Sequence, residues 1–331
     1  MKVWSASART PWRWVWFFGL STWALLACQP SEPASPDDLD TPLPKSEQAR
    51  AQGEASEDAQ KVKGKSFLWR ASSPTAEVFL LGSIHVARKD LYPLAPPMEK
   101  AYQDSARVVL ELHLTPEVEA ETVKKSLALG LYPEGDSIDK HLSPEAWKRY
   151  SSFLESSGKP VAAFARMRPW LASLGLLMDT LGQDGFVPAL GIDRYFQDKA
   201  EKDGKPIESL ETVDEQLGIL ANLDDKIQEL MLLEFLDSKD EIGPQMEQAF
   251  FAWSAGDVDG LEKLLLSSVM QPEYEPLHQK LFVERNHRMT AKVRQYLSGS
   301  GPTLIIVGSG HLVGDEGIVT LLARDHAVEQ L

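Results

Sequence analysis

The chain has 331 residues, a net charge of −15 and a single cysteine. That acidity argues against nucleic acid and anionic membrane surfaces as partners, since both are met with positive charge. One cysteine excludes disulfides and a thiolate metal cage.

Lys2, Arg9 and Arg13 form a charged start, and Val15 to Leu26 is an uncharged apolar run. At about a dozen residues, it fits a signal core and is short for a spanning helix. It ends in Leu25-Leu26-Ala27-Cys28. A small residue before a cut and a cysteine after it resemble the lipobox of bacterial lipoproteins. Residues 1–27 are therefore expected to be a signal peptide, with Cys28 lipidated as a membrane anchor. An uncleaved anchor helix is the alternative. Gln29, where Asp is absent, resembles an outer-membrane destination, so the expected location is the cell envelope, periplasmic or surface-facing. Losing the signal removes three positive charges and no acid, making the remainder more acidic still. Residues 28–64 are rich in Pro, Ser, Ala, Glu and Asp and lack aromatics. Such a segment cannot bury a core and reads as a disordered tether. Residues 65–331 are long enough for one substantial domain.

In that domain, Ser66–Ala71 and Glu77–Ser83 are apolar runs split by Ser-Ser-Pro-Thr, which predicts a β-hairpin. Pro96–Asp104 reads as a helix and Arg107–Leu112 as a buried strand, a parallel βαβ order. Thr115-Pro116 and Ser143-Pro144 open helices that stop near Gly130 and Gly158. Helices are expected at 161–168, 170–181 and 190–203, then a short strand over Pro206–Leu210. Thr212 to Glu215 is a capping box. Further helices fit 224–238, 244–255, 257–267 and 275–297. Thr303–Val307 reads as a buried strand, Asp315–Ala323 as a helix and Ala327–Gln330 as a last strand. The expected fold is α/β: a mostly parallel sheet built from two similar strand-GSxH-helix units, with a large helical insertion between them.

Those two units carry the candidate chemistry. Phe79 to His85 reads FLLGSIH and Ile305 to His311 reads IIVGSGH. In a parallel sheet ligands bind beyond the carboxyl ends of the strands. If the two strands are neighbours, His85 and His311 converge on one crevice. Glu111, polar inside an apolar run, needs a partner or a metal there. Two imidazoles and a carboxylate suit a divalent transition metal with an open position for water. Taken alone, a G-x-x-H histidine is more often a hydrogen-bonded loop residue; the duplication and the buried Glu are what raise a shared site. There is no Walker loop, G-x-G-x-x-G, H-E-x-x-H or G-x-S-x-G.

With these pieces in order, the chain resembles the TraB/GumN family, relatives of the Tiki metalloproteases. The matching segments are Leu68-Trp69-Arg70, the GSIH motif with Leu91 to Leu94, Val109 to Leu112 and Arg168-Pro169-Trp170. They continue with Leu190 to Asp193, Leu210-Glu211-Thr212 with Gln216, Trp253 with Gly256-Asp257, Glu284-Arg285-Asn286 and Val307 to Gly314. The resemblance implies a metal-dependent, peptidase-like site. The family's histidines fall on His85 and His311, its glutamate on Glu111 and its Arg-Asn pair on Arg285 and Asn286. His113 stands where an acid is common, and is either a ligand beside Glu111 or a bystander sharing its strand face.

The expectation is a metal-dependent hydrolase, a peptidase using Mn, Co or Zn on peptide or protein substrates. His85 and His311 would hold the metal, with Glu111 as third ligand or general base. Arg285 would stabilise an oxyanion or serve in an ordinary ion pair. Asp193 and Glu211 read as orienting or capping residues, Trp253 as core. His141, His278, His287 and His326 read as surface or packing residues. The competing expectation is a non-catalytic peptide, metal or haem binder using the same crevice.

Overall fold

In a computed structural model of the chain, residues 64–267 and 269–331 are described. The expected signal peptide, Cys28 and all of the expected tether but Gly64 lie outside the described residues.

The most continuous apolar run, TLIIVG, forms a wholly buried strand, β5 (Thr303–Gly308), as expected of a strand covered on both faces. The other strands are β1 (Leu68–Ser72), β2 (Glu77–Ser83), β3 (Arg107–Leu110), β4 (Ile207–Ser209) and β6 (Ala327–Gln330). They form one six-stranded sheet in the order β4-β3-β5-β2-β1-β6. The four strands from β4 to β2 run parallel, while β1 is antiparallel to both β2 and β6. The fold is thus α/β with a mostly parallel sheet, and β2 and β5, the two strands leading into GSxH, are direct neighbours.

The two units diverge beyond their histidines. From β2 the chain passes the helix Pro96–Asp104 and enters β3 on the far side of β5; from β5 it passes Ile318–Leu322 and enters β6 beyond β2 and β1. The large helical insertion expected between the copies lies between β3 and β5, interrupted only by β4. The helix Glu284–Leu297 packs on β2, and Ile192–Asp203 packs on β3. One apolar cluster runs from Phe67 to Leu322 and includes Trp170, Phe235 and Trp253.

The cap signals hold with their mechanism. Thr115 Oγ1 accepts from Val118 N and Ser143 Oγ from Ala146 N, and Thr212 and Glu215 close a full capping box. Three expected helices differ by more than two residues. The helix expected over 161–168 covers only Val161–Phe164, because Arg168 must turn extended to precede Pro169. The helix expected over 315–323 is shortened to Ile318–Leu322, since Gly317 is extended and serves as its N-cap. The helix expected over 275–297 is broken into Glu275–His278, a π-helical turn Gln279–Val283 and Glu284–Leu297. A π turn adds a residue without disturbing periodicity enough to show in a hydrophobic pattern.

The chain's first described residues and its last lie together. Ser66 N donates to Leu331 O at 2.5 Å, and Leu331 N donates to Leu68 O at 2.9 Å. Phe67 and Lys65 sit at the end of β1 that abuts the carboxyl end of β2: Gly82 N donates to Phe67 O, and Lys65 O lies where a Cβ on Gly256 would stand.

Candidate active site

Each parallel strand ends in a residue that turns inward at the same end of the sheet. β2 ends at Ser83 and leads through Ile84 to His85. β5 ends at Gly308 and turns through Ser309–His311 in a single 3-10 turn. This turn is tight: a Cβ on Gly310 would sit 2.7 Å from the Phe282 ring. Ser309 Oγ donates to Ser83 O at 2.9 Å, tying the two GSxH loops together. The His85 loop is pinned from the other side. Ile192 N donates to Ile84 O, and Gly191 lies so close that a Cβ would stand 2.6 Å from His85 O.

β3 stops at Leu110, so Glu111 lies in the bend past the strand end and not within it. This corrects the expected strand to Leu112 and, with it, the shared face of residues 111 and 113. His113 turns away and pairs its Nε2 with Glu201 Oε1 at 3.0 Å, while its N–H donates to Ser209 Oγ.

Glu111 is 2% exposed and both its oxygens are occupied. Oε1 accepts from Gly308 N at 2.6 Å; Oε2 accepts from Arg285 Nη2 at 2.9 Å and Gln216 Nε2 at 3.2 Å. Arg285 is fully buried. It also grips Glu211, with Nε to Oε1 at 2.8 Å and Nη2 to Oε2 at 2.6 Å, and gives Nη1 to Leu281 O in the π turn. Arg285 therefore holds two carboxylates from neighbouring strand ends, the ion-pair alternative, with partners distant in sequence and not on its own helix. Burial opposes charging of both partners, but their mutual attraction prevails. The Arg285 pKa is raised and the Glu211 carboxyl sits below its usual range.

Asn286 fixes the tautomer of His311. Its Nδ2 donates to Glu316 O at 2.8 Å, which leaves Oδ1 to accept from His311 Nδ1 at 2.6 Å. His311 Nδ1 is then the donating nitrogen, and Nε2 lies 3.7 Å from Glu111 Oε1. His85 is held differently. Its Nδ1 lies 3.3 Å from Asp193 Oδ1, close enough for attraction but not aligned, and neither ring nitrogen nor Asp193 Oδ1 has a hydrogen-bond partner. Burial works against protonation of His85, yet the carboxylates of Asp193 and Glu111 outweigh it and raise its pKa.

The structure thus brings Glu111, bonded to Arg285, and His311, bonded to Asn286, to within 3.7 Å of each other, and places His85 within electrostatic reach of Glu111 and Arg285. Glu211 and Gln216 are bonded to Arg285 and Glu111, respectively, and Asp193 stands 3.3 Å from His85 Nδ1. For Glu211 the signal in the sequence is the repeated dipeptide Leu110-Glu111 and Leu210-Glu211, each at the end of a parallel strand, with Leu210 N donating to Leu110 O and Glu211 N to Glu111 O. Trp253, read as core, also donates Nε1 to Gly82 O at 2.7 Å beneath the site.

Imidazole with unsatisfied buried nitrogens, beside carboxylates, is donor chemistry that suits a divalent transition metal. The set is not a ready cage, however: among the described residues no three His, Cys, Asp or Glu side chains are grouped to hold an ion. Nor, among the described residues, is any helix long and apolar enough to cross a membrane.

The uncharacterized protein YbaP of Escherichia coli (strain K12) is 21% identical over 265 residues, covering 79% of this chain and 95% of its own. The same-named protein of Shigella flexneri is similar to the same extent. No solved structure matches the chain. The model of the TraB/PrgY/gumN family matches residues 67–330, from the strand before the first GSxH loop to the strand after the second, and the chain belongs to that family.

Proposed function

We propose that the chain is a metal-dependent hydrolase, a peptidase working outside the cytoplasm from a lipid anchor on Cys28. The observation that carries this reading is the charge of the buried site. Two buried carboxylates, Glu111 and Glu211, share the one Arg285 guanidinium, and the buried His85 imidazole, 3.3 Å from the partly exposed Asp193, has no hydrogen-bond partner. An uncompensated negative charge in low dielectric calls for a cation. His85 and His311 are the residues that would hold it, His311 through Nε2. A bound divalent metal supplies Lewis acidity and a water acidic enough to attack at neutral pH. Asn286 orients His311, Arg285 fixes the position of Glu111, and Glu111 Oε1, already the acceptor of Gly308 N–H, is the base placed nearest His311. The burial of all these groups keeps bulk water out.

A second reading, a non-catalytic binder of peptide or metal, is favoured by the engagement of both Glu111 oxygens. Peptide cleavage decides between them. The chain is stripped with a chelator, resupplied with manganese, cobalt or zinc, and offered a mixed peptide library. Metal-restored cleavage that His311→Ala reduces to background is the expected result. Stoichiometric metal binding without cleavage would favour the binder. Asn286→Ala is expected to weaken metal affinity about 10- to 100-fold by freeing the His311 ring, read by competition with a metal-sensitive dye. Unchanged affinity would mean that His311 is not a ligand.

A further inference from the structure

The buried network has no open face: His85, Glu111, Arg285, Asn286 and His311 are each at most 2% exposed. A substrate must therefore dock at the surface beside it before reaching it. One cleft, of about 300 Å³, lies in the right place. It is lined by Met270, Glu275, His278, Val283, His287 and Glu316, among others. Two routes connect it to His311. The Phe282 ring lies 6.1 Å from the His278 ring and 5.4 Å from the His311 ring. Asn286, which holds His311, donates to the backbone carbonyl of Glu316. Phe282 belongs to the π turn that separates Glu275–His278 from the helix of Arg285, a local irregularity that recurs at working sites.

The chemistry of the cleft is one-sided. Glu275 and Glu316 contribute carboxylates that are 53% and 42% exposed. Among the lining residues there is no lysine or arginine. His287 Nε2 meets Glu316 Oε2 at 2.8 Å, and His278 lies 3.9 Å from Glu275 Oε2. Burial, the largest influence on His278, lowers its pKa, so it brings no fixed positive charge. Of the remaining lining, Gln279 is polar and uncharged, while Met270 and Val283 are apolar, with Met270 60% exposed. An apolar floor ending in carboxylates matches a side chain with a hydrocarbon stem and a cationic head.

We propose that this cleft is the docking subsite of the buried centre and that it takes a lysine or arginine side chain of a peptide substrate; this rests on the peptidase reading for the word substrate, but not for the binding. The stem lies over Met270 and Val283, the head reaches Glu275 and Glu316, and the scissile segment is left beside Phe282, whose displacement uncovers His311. Arginine differs from lysine only in offering a planar fork to the same carboxylates.

The test is binding, read by fluorescence anisotropy on the full chain in detergent micelles. The probes are a labelled alanine-rich pentapeptide with a central lysine and the same peptide with that lysine acetylated. Two half-exposed ion pairs predict that the free lysine binds about tenfold tighter, a preference that shrinks at high salt. The double variant Glu275→Gln with Glu316→Gln, isosteric and at the surface, is expected to bind both peptides alike. Equal binding by the parent chain, no binding of either peptide, or a lysine preference that survives in the double variant would each overturn the proposal. Lysine-selective binding without metal-restored cleavage would leave the subsite standing and remove the hydrolase reading.

Discussion

Replacing Arg285 by methionine is expected to cost the fold about 3–5 kcal/mol, a fall in melting temperature on the order of 10 °C. The reason is the asymmetry of a buried ion cluster. Arg285 is fully buried, and its removal strands Glu111 and Glu211, 2% and 5% exposed, without their counter-ion. Methionine fills much of the space, so the loss reads the charges more than a cavity. Adding Glu211→Gln removes one stranded charge and should recover part of the stability. Acid shows the sign of the effect. The Glu211 carboxyl is depressed in the folded state, so its contribution is present above the ordinary carboxylate value near 4.5 and is lost as pH falls through the folded value. The gap between parent and Arg285→Met should therefore narrow below about pH 4.5. Urea unfolding across pH measures it; a gap under about 1 kcal/mol at pH 7 would mean that the two carboxylates find other partners.

A second large effect lies far from the network. Glu234, on the helix Asp225–Ser238, is 6% exposed, and its Oε1 has no hydrogen-bond partner. Burial pushes its carboxyl up to about 8, against a hydrogen bond with Tyr274 that pulls it down, and the nearby Asp237 adds to the rise. Here the folded value lies above the unfolded one. The associated stability is fully present below about pH 4.5 and is lost as pH climbs to about 8, a total of roughly 5 kcal/mol. Glu234→Gln keeps the shape without the charge and is expected to flatten that slope, leaving the variant more stable than the parent at pH 8. Parallel stability curves would show that Glu234 reaches solvent in the folded chain. The two groups act in opposite directions, so the parent chain should be most stable in mildly acidic solution.

Much of the fold was legible because its signals are local. The apolar run Thr303–Val307, the caps at Thr115, Ser143 and Thr212, and the hairpin ending in Gly82-Ser83 each carry their own mechanism. The repeated GSxH made a shared crevice depend on β2 and β5 being neighbours, and they are. What stayed hidden was decided by distant contacts. Glu211 looked like a neighbour of a capping box, and only the β3–β4 register brings it opposite Glu111. Asp193 gains its role because Gly191 lets its helix approach the His85 backbone. The same distance problem kept Arg285 undecided between an oxyanion and an ion pair, since the acids it meets are 174 and 74 residues away. His278 and His287 read as surface residues, and they do lie at the surface; the break at Gln279–Val283 is what turns that surface into a cleft beside His311.

The way the chain enters the domain gives the whole molecule a heading. Residues 64–67 arrive at the carboxyl end of β2, the end that carries both GSxH loops, and the last strand finishes there too. A leash fixed upstream, as an anchor at Cys28 would fix it, therefore pulls on the domain at its working end. The site would then lie on the side of the domain nearest the surface that holds the chain. Such a molecule would meet partners that share its layer before those that drift past, and the leash would act as a filter on encounter before any pocket does.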